Sequence, residues 1–90
     1  MKWVVNCNVS SYDIFIGRPS IFGNPFHIGI HGSRREVIER YENYLYTQPN
    51  LIIKIRQMLN GKVLGCFCDP SPCHGELLAR IANGYQLPPL

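Results

Sequence analysis

The sequence predicts one small α/β (or α+β) domain over residues 1–90, with a small sheet packed against about three helices. Three observations carry this. Ninety residues leave no room for a second core, which seldom fits below about 100 residues. Apolar residues make up 46% and charged residues 17%, the composition of a folded chain rather than a disordered one. Short β-prone runs and longer stripes at helical spacing succeed one another along the chain.

The elements follow in order. Trp3-Val4-Val5 and Asp13-Ile14-Phe15-Ile16 are β-prone and bounded by turn-rich pieces. From Gly17 to Gly32 come four Gly, two Pro and one Asn, a long connection for so small a domain. Its apolar residues Ile21, Phe22, Phe26, Ile28 and Ile30 predict an ordered, packed loop. Ser33-Arg34-Arg35-Glu36 is a capping box, and Val37, Ile38, Tyr41, Tyr44 and Leu45 then fall at helical spacing. Pro49 ends that helix or starts the next, with Asn50 as its expected cap. Leu51, Ile52, Ile55, Met58 and Leu59 form a second stripe, closed by Asn60-Gly61. Lys62 to Cys68 reads as a buried strand. A third helix, with Ser71 as cap and Pro72 at its first position, buries Leu77, Leu78, Ile81 and Ala82 and ends at Asn83-Gly84. Residues 85–90 form an extended tail, whose apolar end suggests a homo-oligomer in which it covers a neighbouring copy.

Several classes are excluded. No window approaches the roughly 18 apolar residues of a membrane span. The opening Met1-Lys2-Trp3-Val4-Val5-Asn6 is apolar too briefly for a signal-peptide core, so a soluble, cytoplasmic protein is expected. Nine Lys+Arg against six Asp+Glu give a net charge of +3, with no basic run. Duplex binding usually takes about six or more phosphate contacts. The scattered cations therefore suit a small anion better than a nucleic acid.

Two segments could carry chemistry. In the first, Cys66, Cys68, Cys73 and His74 lie within nine residues. In a reducing compartment they read as metal ligands, as a reactive group or as small buried hydrophobes rather than as disulfides. Four soft ligands could converge on zinc, with sulfur about 2.3 Å from the metal, although the spacing is not that of the common knuckles. The helix start offers another use. Backbone N–H groups at Cys73, His74 and Gly75 would point at an anion with the positive end of the helix dipole, and Cys73 there would be acidified into a nucleophile.

The second segment runs from Ile16 to Phe26. Arg18 follows a strand and can pair bidentately with phosphate. Ser20, Asn24 and the backbone near Gly23 could add donors, and Phe22 or Phe26 could stack on a base. Arg34 and Arg35 open a helix whose dipole disfavours them there. An anion between Arg18 and Arg34 would account for both, as would two solvated arginines.

These residues carry a resemblance. Ile16-Gly17-Arg18-Pro19-Ser20, Gly23-Asn24-Pro25-Phe26, Ser33-Arg34 with Glu36-Val37-Ile38 and Tyr41, and Gly61-Lys62 through Leu64-Gly65-Cys66, Cys68, Pro70 and Cys73-His74-Gly75 stand in an ordered set. Over roughly residues 4 to 82 the chain resembles an uncharacterised phage and bacterial family, domain of unknown function 4326. Arg35 stands where members often carry an acidic residue, and Phe67 where they carry Trp. The resemblance implies a phage or bacterial origin and no established reaction.

The expected function is therefore binding rather than catalysis. A phosphate-bearing, nucleotide-derived ligand would be held by Arg18, Ser20, Asn24, Phe26, Arg34, Cys73, His74 and Gly75, without a cofactor. In a phage such a protein could sequester a host immune signal, an ADP-ribose derivative or a cyclic oligonucleotide. The alternatives are a nucleotide hydrolase or glycosidase using Cys73 or His74 with Asp13, Glu36 or Asp69, and a zinc-stabilised interaction or nucleic-acid module. The first of these readings requires the Gly17–Phe26 loop and the start of the last helix to face one another.

Overall fold

The β-branched runs become three short strands and the periodic stripes three helices, in the order β1 (Val4–Asn6), β2 (Ile14–Phe15), α1 (Arg34–Tyr46), α2 (Pro49–Leu59), β3 (Leu64–Cys66) and α3 (His74–Ala82). The structure, a computed structural model, describes residues 3–67 and 74–87. The expected Ser71 cap and Pro72 first position of α3, together with Cys68, Asp69 and Cys73, lie outside the described residues.

All strand pairing is parallel. The strand order is β1-β3-β2, with Val4 and Ile14 both in register with Leu64, and Val5 and Phe15 both with Gly65. Alternation then divides the sheet. Val4, Leu64 and Cys66 face the helices, and beyond β2 Ile16 joins the same buried cluster. There they meet Tyr41 and Leu45 of α1, Ile55 and Leu59 of α2, and Leu78 and Ile81 of α3. A fully buried Leu or Ile contributes about 1.5–3 kcal/mol relative to an exposed one. The other face carries Phe15 and Gly65, and glycine is required at 65 because a Cβ there would stand 2.5 Å from the Tyr12 ring. Asp13 sets the start of β2, its carboxylate accepting from the Val63 N–H at 2.7 Å.

The helix boundaries follow local chemistry. Ser33 caps α1, its hydroxyl accepting from Glu36 N–H at 3.3 Å while the Glu36 carboxylate accepts from Ser33 N–H at 3.0 Å. Hydrogen bonds from the Ser33 backbone N–H and the Ser33 side chain to the Glu36 carboxylate hold that group below the usual carboxylate range. Gln48 rather than Asn50 holds the N-cap position of α2, without a side-chain capping bond, because Pro49 takes the first helical position, where its missing N–H is not needed. The ends of α2 and α3 are tied together: Asn60 Nδ2 donates to the Ala82 carbonyl at 2.7 Å, and Gly61 N–H donates to Asn83 Oδ1 at 3.2 Å.

Three expectations are corrected. Met58 is 47% exposed, because α2 buries only the narrow line through Ile55 and Leu59. Within the long loop, Phe22 is buried and Phe26 half-buried, whereas Ile21, Ile28 and Ile30 are exposed. That loop is ordered by its own turns, among them Ser20 N–H to the Gly17 carbonyl and Gly29 N–H to the Gly32 carbonyl, and by burial of Phe22, not by its isoleucines. Of the strand expected over residues 62–68, Leu64 to Cys66 pair in the sheet and Phe67 stands exposed at its end, while Cys68 lies outside the described residues. Leu87 of the tail packs on the chain's own core. Among the described residues no helix is long and apolar enough to cross a membrane.

Replacing Ser33 by Ala removes the acceptor for Glu36 N–H and should lower stability by about 1 kcal/mol. Ser33→Asp, which restores an acceptor, should recover most of it, as read from urea denaturation midpoints.

Candidate functional site

Parallel strands end together, and the chain leaves β2 and β3 on the same edge of the sheet, where helices begin. A cavity of about 410 Å³ opens at this edge. Gly17 and Arg18 line it from the end of β2, Cys66 and Phe67 from the end of β3, Arg34 from the start of α1, and His74 from the start of α3. Open parallel sheets place their ligand crevices at this position, outside the carboxyl ends of the strands. No Asp or Glu is among the described residues lining it. Among the described lining residues, Arg18 and Arg34 carry the formal charge.

His74 holds the two sides of the cavity together. It is 6% exposed, and its Nε2–H donates to the Ile16 carbonyl at 2.9 Å, joining the start of α3 to the end of β2. The carbonyl can only accept, which fixes the proton on Nε2. The Tyr41 ring packs against the imidazole in a T-shaped contact, with centroids 5.1 Å apart. Burial pushes the His74 pKa down, and hydrogen bonding to the backbone of Ile16 and Phe22 opposes this. The nearby Arg18 charge lowers it further. His74 is thus kept neutral and engaged in structure.

The loop is anchored at several points. Tyr41 Oη donates to the Phe22 carbonyl at 2.9 Å, and burial raises the pKa of that phenol well above its ordinary value. Asn24 Nδ2 donates to the Val37 carbonyl at 3.0 Å, while its Oδ1 accepts from Phe26 N–H at 2.9 Å. The Asn24 carbonyl accepts from Arg18 Nη1 at 3.2 Å, which holds the guanidinium across the loop. A Cβ at Gly23 would lie 3.0 Å from both the nitrogen and Cγ of Arg18, so the turn closes tightly on the arginine's own backbone.

The structure brings Arg18, Asn24, Phe26, Arg34 and His74 to one cavity. Ser20 is a turn residue, its hydroxyl accepting from Phe22 N–H at 3.2 Å. Gly75 is buried in α3, and Cys73 lies outside the described residues. Phe22 is 3% exposed in the core and cannot stack on a ligand. Arg35 points elsewhere, pairing with Glu39 at 3.2 Å on the exposed side of α1. Of the carboxylates considered for catalysis, Asp13 and Glu36 are engaged with Val63 and Ser33, and neither lines the cavity. Of the zinc set, Cys66 and His74 border the cavity together, while Cys68 and Cys73 fall outside the described residues. Among the described residues no three His, Cys, Asp or Glu side chains converge on a metal position. Phe67 and Ile28 line the cavity without having been singled out. Phe67 was concealed by its place in an apolar run that reads as strand interior. Nothing local marks Ile28.

A family model described as domain of unknown function 4326 matches residues 4–84. An uncharacterised 12.4 kDa protein in the nrdA-td intergenic region of Enterobacteria phage T4 is 37% identical over 84 residues, covering 89% of this chain and 76% of that protein. No solved structure matches the chain.

The lowered His74 pKa has a definite sign in stability. Between the depressed folded value and about 6.5, the unfolded histidine binds a proton that the folded one does not. The contribution is complete above about pH 6.5 and is lost as pH falls. Urea midpoints should drop between pH 7.5 and 5.5, and less steeply in His74→Gln, whose amide can still donate to Ile16. A variant as steep as the wild type would remove this assignment. Gly23→Ala should push Arg18 aside and destabilise the fold by about 1–2 kcal/mol in the same assay.

Proposed function

The chain belongs to the family of domain of unknown function 4326, and for it we propose a ligand-binding role: capture of a phosphate-bearing, nucleotide-derived molecule at the carboxyl edge of the sheet. The observation that carries this reading is the charge of the cavity. Arg18 and Arg34 line it, and no carboxylate does so among the described residues. An arginine fork suits phosphate oxygens in a bidentate geometry that a point charge cannot reproduce. The start of α3, at His74, adds partial positive charge on the same side. Val37, Ile38 and Phe67 supply apolar wall, so the ligand has an anionic part and a part that gains by leaving water.

Size narrows the class. Ligand cavities run from about 300 to 1,000 Å³, and this one, at about 410 Å³, suits a single nucleoside phosphate unit. An ADP-ribose derivative would place one half inside. A cyclic oligonucleotide would place one nucleotide there and leave the remainder outside. The relative from phage T4 supports a phage setting. In that setting a small protein that binds such molecules without altering them would sequester a host nucleotide signal. Engagement of Asp13, Glu36 and His74 in structural hydrogen bonds favours binding over hydrolysis.

Calorimetry with ADP-ribose and with cyclic dinucleotides tests the proposal, followed by chromatography of the recovered ligand. Tight binding with intact recovery is the expected outcome. Arg18→Ala should weaken it about tenfold or more, the size of a lost charge-assisted hydrogen bond. Absence of binding to every phosphorylated nucleotide would overturn the reading, and recovery of a cleaved product would replace it with catalysis.

A further inference from the structure

We infer that Phe67 is the stacking platform of this cavity, and that its ligand therefore carries a planar aromatic base at the cavity mouth. This rests on the phosphate-binding reading and adds to it the chemistry of the ligand's second half.

Phe22, Phe26 and Phe67 differ in what they have free. Phe22 is 3% exposed and belongs to the core. Phe26 is half-buried and already surrounded. His31 and Tyr44 make T-shaped contacts with it at 5.6 and 6.3 Å, and the Arg40 guanidinium lies 6.0 Å from its centroid. Phe67 is 61% exposed and lines the cavity. It leaves β3 one residue after the last paired position, on the edge where the cavity opens.

Phe67 is also held in place. Its ring makes a T-shaped contact with Phe15 at 5.4 Å and 75°, and Phe15 in turn meets Tyr12 at 6.4 Å. A Cβ at Gly17 would run into the Phe15 ring, so glycine at 17 makes room for it beside Arg18. The three rings form a supported row on the sheet face away from the helices, ending at the cavity. A ring fixed through one neighbour and open over most of its surface loses little side-chain freedom when a base stacks on it. Ile28, 51% exposed, adds apolar surface to the same lining. The anionic group is drawn to Arg18 and Arg34, and the base to Phe67.

Titration calorimetry of the full chain with adenosine 5′-monophosphate and with ribose 5-phosphate tests this. The first should bind about tenfold or more tightly than the second, the range of one base–aromatic stack. Phe67→Ala and Phe67→Leu should each lose about that factor for the nucleotide. Both should leave ribose 5-phosphate unchanged, and Phe67→Tyr should retain nucleotide affinity. Leucine keeps apolar bulk without a π-face, so its loss separates stacking from simple burial. Equal affinity for the two ligands, or wild-type nucleotide affinity in Phe67→Ala, overturns the inference and leaves the phosphate site standing. Failure of the wild type to bind either compound overturns the inference, and the phosphate-binding reading falls with it when ADP-ribose and the cyclic dinucleotides also fail to bind.

Discussion

A buried hydrogen bond from His74 Nε2–H to the Ile16 carbonyl joins the start of the last helix to the end of the second strand. The two segments it ties lie 58 residues apart in sequence and border the same cavity. Leaving either group unpaired in the interior would cost about 1–3 kcal/mol. The neutral imidazole suits this place, since a charge there would be buried beside the Arg18 guanidinium. The residue that sequence patterning offered as ligand, nucleophile or metal partner thus acts on the site mainly by holding its walls together.

The rest of the site follows from parallel pairing. With β3 in the centre and β1 and β2 beside it in the same direction, every strand ends on one edge. The backbone must leave the sheet there, and α1 and α3 both start at the cavity formed on that edge. Tyr41 and Asn24 extend the scaffold by tying the Gly17–Phe26 loop to α1, one through the Phe22 carbonyl and the other through that of Val37. Arg18 is held over this loop by the Asn24 carbonyl, which places its positive charge at the cavity.

Much of the local structure was legible because local chemistry decides it. The Ser33–Glu36 capping box sets the start of α1, and Gly84, with φ of 110°, closes α3 where Asn83-Gly84 marked its end. The long loop was legible as ordered but not in how it is ordered. Its isoleucines suggested packing, yet hydrogen bonds of Ser20, Asn24 and the backbone hold it while Ile21, Ile28 and Ile30 stay in solvent. Met58 and Phe67 were misplaced for a related reason. Apolar character alone does not say how wide a stripe a short helix buries, nor where strand pairing stops.

By itself the sequence determined the helices and strands in outline, the Ser33 cap of α1, the family resemblance and the set of cations and turn formers from which a site could be built. Those features depend on neighbours a few residues apart, whose interactions any conformation of the segment would feel. Only the tertiary structure decided that the sheet is parallel, that Arg18, Arg34 and His74 share one cavity, and that Phe67 rather than Phe22 faces it. Those outcomes depend on contacts between segments tens of residues apart. Burial of the common core selects among the ways of arranging them, and no local pattern records that selection.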